Sequence, residues 1–228
     1  MDLSALQPPI VIPANIVGLT QFPAITNDPR WSKPKMKVCV VANAPTSIKD
    51  YSAIVDSMDV VCRINSMENL DKGFSGTKTD MAVVTVGDLY ESYGDEYTHL
   101  EVLKSLPIKF FSCIRAEEAH NYAEKKGITD YHFTPGDMYI WGKFWTTAGY
   151  ALQLCLRLWP DCELYFLGTA SAAIRAQKGY EHSTSGETEW IEEQIANERI
   201  TLLETGISGD YMWDTRIQET IRVTWDPF

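Results

Sequence analysis

Two apolar runs in this chain break off at an asparagine. VVANAP stops at Asn43 and VVCRIN at Asn65. A carboxamide carries donors and an acceptor on one small neutral group, which suits reading a base edge, a ribose or a phosphate without adding charge. Either asparagine alone is also well explained as an Asx-turn after a strand. Thr146, Thr147 and Gly149 open the apolar stripe TAGYALQLCLRL. A helix starting there aims its free N–H groups and its dipole at a phosphate or carboxylate. The threonines add hydroxyls, and Gly149 permits close approach of a ligand. Plain N-capping by threonine accounts for the same residues. Of the four histidines, His99 and His120 lie in charged helical stretches and read as solvated. His132 precedes a Pro-Gly turn, and His182 stands in the loop-like EHSTSGETEW.

The elements that must position these groups alternate in type. Strands are expected at 35–41, 59–64, 81–85, 109–113 and 162–167. Helices are expected at 47–56, 97–105, 116–126, 147–158 and 187–196. The strands are nearly continuous apolar runs, as in sheets covered on both faces. Alternation with helices predicts an α/β fold, a single Rossmann-like domain with a mainly parallel twisted sheet. Ligands of such sheets bind beyond the carboxyl ends of the strands, so Asn43, Asn65, Thr85 and Gly168 are expected along one rim. Residues 1–35, with six prolines, read as an N-terminal arm, and 36–228 as the domain.

With 228 residues and a formal charge of −11, the chain is long enough for a sizeable core. It is too acidic to suit a nucleic-acid duplex or an anionic bilayer. No stretch approaches the ~20 apolar residues of a membrane-spanning helix, and the N-terminus is not a convincing signal peptide. The five cysteines show no paired spacing, and Cys39, Cys62 and Cys155 lie in apolar runs. Buried free thiols and a soluble, cytoplasmic setting are therefore expected.

The stretch from Val40 to Asp80 resembles the long sialylmotif of the family 29 glycosyltransferases, the sialyltransferases. The matching residues are Asn43, Asp56-Ser57, Asp59, Val61, Arg63, Asn65, Gly73-Phe74 and Gly76-Thr77-Lys78-Thr79. Thr146 to Gly168 is similar to the short motif, a hydroxyl–Gly turn, an apolar helix and a strand closing on glycine. His182 and Glu187 have the His-x4-Glu spacing of the family's last motif. Together these cover roughly 36–195. The bacterial family 42 sialyltransferases are resembled more loosely. The membrane anchor of the family's Golgi enzymes has no counterpart here, so the resemblance implies a bacterial or viral source unless the chain is trimmed.

The resemblance implies inverting, metal-independent transfer of a sialic-acid-type sugar from its CMP donor to a glycan hydroxyl, with no cofactor. The attacking hydroxyl must lose a proton, a task suited to a histidine titrating near neutrality, and His182 matches the family's base. Glu187 either caps the start of its own helix or orients the loop of His182. By the family pattern, Asn43 and Asn65 contact the phosphate and sugar region of the donor. Gly168 and the turn Thr146, Thr147, Gly149 hold cytidine and ribose. Arg63 reads as structural, paired with Asp56 or Asp59.

The family's phosphate-side histidine has no counterpart between 169 and 181. Arg175, Lys178 and Tyr180 are the candidates for the donor that steadies departing CMP, and the looser resemblance to family 42, whose enzymes use tyrosines there, favours Tyr180. The family's disulfide is not carried over, because Cys39 and Cys162 are out of register with the corresponding Val38 and Trp159. Ala42 and the Thr-Ala-Gly turn replace the usual glycine and Ser-Thr-Gly, which leaves the donor sugar open. A CMP-Kdo-dependent transferase is the nearest rival. A catalytically silent nucleotide-binding protein on the same fold and a hydrolase of the CMP-sugar are the others. Tyr90, Tyr93, Tyr139 and Trp141 are aromatic candidates for acceptor stacking.

Overall fold

The computed structural model describes residues 25, 28–43, 50–67, 69–70, 73–85, 99–113, 116–135, 139–140, 143–144, 146–167 and 185–203. Its centre is a seven-stranded sheet, parallel at every pairing. The strands are β1 (Lys37–Val41), β2 (Val60–Ile64), β3 (Met81–Thr85), β4 (Ile108–Cys113) and β5 (His132–Pro135). A two-stranded antiparallel ribbon follows, β6 (Tyr139–Ile140) with β7 (Lys143–Phe144). Two further strands, β8 (Glu163–Leu167) and β9 (Ile200–Leu202), complete the main sheet, whose order is β5-β4-β3-β2-β1-β8-β9. Every residue of β2 and β3 is buried, which explains their nearly continuous apolar sequences and the valine content that suits a pleated surface.

Side chains alternate across a strand, and the two faces take different helices. Val38, Val40, Cys62, Ile64, Val83 and Phe110 share a core with α4 (Thr147–Leu158), and Ile191 of α5 (Ser185–Ala196) joins it. On the other face Ala82, Val84 and Phe111 pack with Leu103 of α2 (Leu100–Ser105) and Ala119 and Ala123 of α3 (Ala116–Lys126). Cys39, Val41 and Val61 meet Val55 of α1 (Ser52–Asp56) on that side. This is the α/β layering expected, with the strands predicted from sequence found within two residues of their bounds. The short edge strands β5 and β9 and the ribbon were not anticipated.

Of the proline-rich arm, Ile25 and Trp31 are buried in the core of the α4 face, and the carbonyl of Trp31 accepts the indole N–H of Trp159 at 2.7 Å. Cys39, Cys62, Cys155 and Cys162 are free thiols, the first three buried. Burial pushes the Cys39 thiol up to about 12, consistent with an inert core residue. Lys109 is also buried. Its ammonium donates to the carbonyls of Leu106 (2.5 Å) and Lys104 (3.3 Å), satisfying the C-terminal end of α2. No helix among the described residues is long and apolar enough to cross a membrane.

Arg63 is structural, but not through the carboxylates expected. Its side chain, 1% exposed, donates to the carbonyls of Ser75, Gly76 and Lys78 and the hydroxyls of Ser75 and Thr79, at 2.8–3.2 Å. Asp59 turns instead to the Lys33 ammonium and the Lys37 backbone N–H, both at 2.9 Å. Asp56 accepts the N–H groups of Thr77 and Lys78. It also fills the space beside Gly76, whose φ is +67° and where a Cβ would lie 2.2 Å from the Asp56 carboxylate. The segment 73–80 is therefore a loop folded around a guanidinium and pinned by a carboxylate, and it delivers β3 into the sheet.

Candidate functional site

The strand order runs outward from β1 to β5, then returns to β8 on the other side of β1. The reversal between β1 and β8 is the topological switch point, where open α/β sheets bind ligands. Asn43 stands two residues beyond β1, above this point. Its Nδ2 donates to Ser66 Oγ at 3.3 Å, so the two strand exits, 43 and 65–66, touch. Beneath them the buried Asn69 donates to the Ala42 carbonyl at 2.5 Å and accepts the Ser75 hydroxyl on its own carbonyl at 2.6 Å. The Arg63 loop thus braces the exit of β1.

Asn65 leaves β2 with φ +44°, a left-handed conformation that asparagine tolerates better than most residues. Its backbone N–H reaches the Val83 carbonyl at 2.9 Å. The side chain spans two elements. Oδ1 accepts the Thr85 backbone N–H at 3.0 Å, and Nδ2 donates to Thr147 Oγ1 at 3.1 Å. Thr147 Oγ1 is also 2.7 Å from Thr85 Oγ1, and both threonines are buried. One amide and two hydroxyls therefore join the ends of β2 and β3 to the first turn of α4.

Thr146 is the N-cap of α4. Extended at φ −70°, ψ 158°, it accepts the Gly149 N–H on Oγ1 at 3.2 Å. At Thr146, the turn expected to offer open N–H groups meets the protein's own carboxylate. Glu187, 1% exposed, accepts the Thr146 backbone N–H on Oε2 at 2.5 Å and the Thr146 hydroxyl on Oε1 at 2.7 Å. Glu187 lies in the first turn of α5 as anticipated, but it serves the start of α4. The close approach at Gly149 is also made by this side chain, since a Cβ there would sit 2.7 Å from Glu187 Cδ. An anion at the positive end of a helix is electrostatically favoured, and here it is internal.

The described residues thus bring together Asn43, Asn65, Thr146, Thr147, Gly149 and Glu187 on one rim. Gly168, Tyr180 and His182 lie outside them, as do Arg175, Lys178, Tyr90, Tyr93 and Trp141. Thr85 was placed on the rim from sequence, but nothing in its spacing linked it to Thr147. Ser66 and Asn69 carried no signal as partners of the β1 exit. His132 opens β5, with its ring 5.2 Å from that of Phe110; burial, then the nearby Lys109 charge, hold its pKa below the ordinary value. His120 is exposed, with Nδ1 3.2 Å from the Tyr131 hydroxyl.

Comparison with solved structures gives this fold a counterpart. A mammalian sialyltransferase superposes with a TM-score of 0.56 at 15% identity, over 85% of this chain and 75% of that one. The fold is that of the sialyltransferases. A mammalian sialyltransferase in complex with Gal-beta-1-3GalNAc-ortho-nitrophenol matches at TM-score 0.55 and 15% identity, over 74% of this chain and 69% of the other. The monofunctional alpha-2,3-sialyltransferase Cst-I from Campylobacter jejuni matches at 0.50 and 14% identity, over 75% and 77%. No protein-family model matches the sequence, and no curated protein matches it either. At such identities the likeness is one of fold, with both the mammalian and the bacterial types represented.

Proposed function

We propose that this protein is an inverting glycosyltransferase that moves a sialic-acid-type sugar from its CMP-activated form to a hydroxyl of a glycan. The observation that carries the reading is the rim itself. Asn43, Asn65 and the Thr146–Gly149 turn, picked out by their resemblance to sialylmotifs, converge at the carboxyl edge of a sheet with the sialyltransferase fold.

In this reading the donor lies across the switch point. Asn43 and Asn65 contact its phosphate and sugar region, and Gly168 with the Thr146–Gly149 turn borders cytidine and ribose. His182 takes the proton of the acceptor hydroxyl as that oxygen attacks the anomeric carbon. The new carbon–oxygen bond forms as the bond to the CMP phosphate breaks, and the electron pair leaves with the phosphate. Tyr180 donates a hydrogen bond to the departing phosphate. Glu187 holds the start of α5, five residues beyond His182, to the cap of α4. The chemistry calls on no metal or cofactor.

The test supplies CMP-Neu5Ac and, separately, CMP-Kdo with a panel of galactosides, and follows released CMP and new glycan mass. Acceptor-dependent CMP release that His182→Ala abolishes is the expected result, and the donor consumed names the sugar. Binding of CMP without turnover of either donor would replace the transferase by a silent nucleotide-binding protein. Release of CMP without new glycan would make it a hydrolase.

A further inference from the structure

Asn65 is held by two bonds whose polarity leaves its amide one orientation. A backbone N–H only donates, so the atom meeting the Thr85 N–H at 3.0 Å must be the amide oxygen. Nδ2 then faces Thr147 Oγ1 at 3.1 Å, and this hydroxyl is itself fixed by the Thr85 hydroxyl at 2.7 Å. These contacts use one of the two amide N–H bonds and one of the two oxygen lone pairs. The second N–H belongs to a half-exposed side chain whose backbone is pinned to β3 through Val83. Residues of β2, β3 and α4 therefore orient this one donor.

We propose that Thr85 and Thr147 are positioning residues, which lock the Asn65 carboxamide so that its second N–H is presented to an anionic oxygen of the bound nucleotide. This rests on the proposed function for the identity of the ligand as a CMP-sugar. An unlocked carboxamide presents its oxygen to an anion as readily as its nitrogen, and ordering it on binding lowers affinity; a locked one meets the ligand already arranged. The lock uses the threonine hydroxyls and not their methyl groups. Valine, which has the same shape without the hydroxyl, therefore breaks it, and serine retains it.

The experiment measures the dissociation constant for CMP by calorimetry in the whole protein, with thermal melts recorded beside it, for wild type, Thr147→Val, Thr147→Ser and Thr85→Val. Thr147→Val is expected to bind CMP about tenfold more weakly, the scale of one lost hydrogen bond in a desolvated site. Thr147→Ser is expected to stay within about twofold of wild type, and Thr85→Val to fall between. All four are compared where circular dichroism shows them folded. Wild-type affinity in Thr147→Val, whatever its melting temperature, would make the hydroxyls merely structural and overturn the inference. So would equal weakening in Thr147→Ser. A wild-type protein that binds no CMP would remove the proposed function and this inference together, an outcome distinct from the other two.

Discussion

The carboxylate of Glu187 and the N-cap residue Thr146 form a two-point contact across 41 residues of sequence, Oε2 to the backbone N–H and Oε1 to the hydroxyl. Each oxygen serves a different orphan donor at the start of α4. Glutamine keeps one acceptor and turns the other into a donor, which the Thr146 hydroxyl, already accepting from Gly149, answers poorly. Glu187→Gln is expected to lower unfolding free energy by about 1–3 kcal/mol, the range for a buried charged hydrogen bond. Urea denaturation measures it; a midpoint equal to wild type at unchanged slope would contradict the contact.

Gly149 inverts an ordinary expectation. Glycine to alanine in a helix interior normally stabilises by about 1 kcal/mol. Here the added methyl meets Glu187 Cδ at 2.7 Å, and Glu187 is buried with both oxygens engaged. Gly149→Ala is expected to destabilise by ~1–3 kcal/mol, the scale of overpacking. In a double-mutant cycle with Glu187→Ala the two effects should be far from additive, because removing the glutamate removes the clash. Additivity would show that the methyl finds room elsewhere.

Arg63 supports a loop more than it balances a charge. Its fork meets three carbonyls and two hydroxyls of 75–79, and burial lowers its pKa to about 10. It therefore stays protonated through the neutral range. Lysine retains the charge but not the fork. Arg63→Lys is expected to cost about 3 kcal/mol, since several buried acceptors lose partners together. Proteolysis is then expected within 73–80 before cleavage elsewhere. Equal protease resistance in the variant would show that the loop holds without the guanidinium.

The pH response of His132 follows from its surroundings. Burial and the Lys109 charge depress its folded pKa relative to about 6.5 in an unfolded chain. Between those two values the unfolded state binds more protons, so stability rises with pH. The contribution is complete above about 6.5 and is lost as pH falls through the folded pKa. The ring resonances in NMR should show a midpoint below that of a free imidazole. His132→Phe should flatten this part of the stability profile, and a midpoint at or above the free value would refute the assignment.

Much of this architecture was legible in the chain because burial on both faces leaves a plain mark. Val60–Ile64 and Met81–Thr85 contain almost nothing but apolar residues, and both strands lie where that pattern puts them. His132–Pro135 and Ile200–Leu202 escaped notice for the opposite reason. Three or four residues at a sheet edge are too short to show alternation. The site was legible as residue types and only partly as contacts. Asn65 could be set at a strand exit from local sequence, but its bond to Thr147 joins positions 82 apart. Glu187 was expected near a helix start, and a helix start does attract it. That it reaches the start of α4 as well as sitting in the first turn of its own helix depends on packing, which no local pattern encodes. Asp56 and Asp59 were expected to pair with Arg63, but they take backbone N–H groups and the Lys33 ammonium while Arg63 turns to 75–79, partners that only the folded loop brings near.

The strand at the switch point, β1, has a consequence for the order in which the molecule assembles. β1 pairs with β2 across a short connection but with β8 across most of the chain, Val41 lying beside Leu167. Closing so long a loop is slow relative to local pairing. A nascent chain that has emerged only as far as β5 therefore exposes one full flank of β1, KVCVV, as an unpaired template. Until β8 arrives, a strand that lies inside the finished sheet is an adhesive edge. Truncation just before residue 163 should make folding give way to concentration-dependent aggregation.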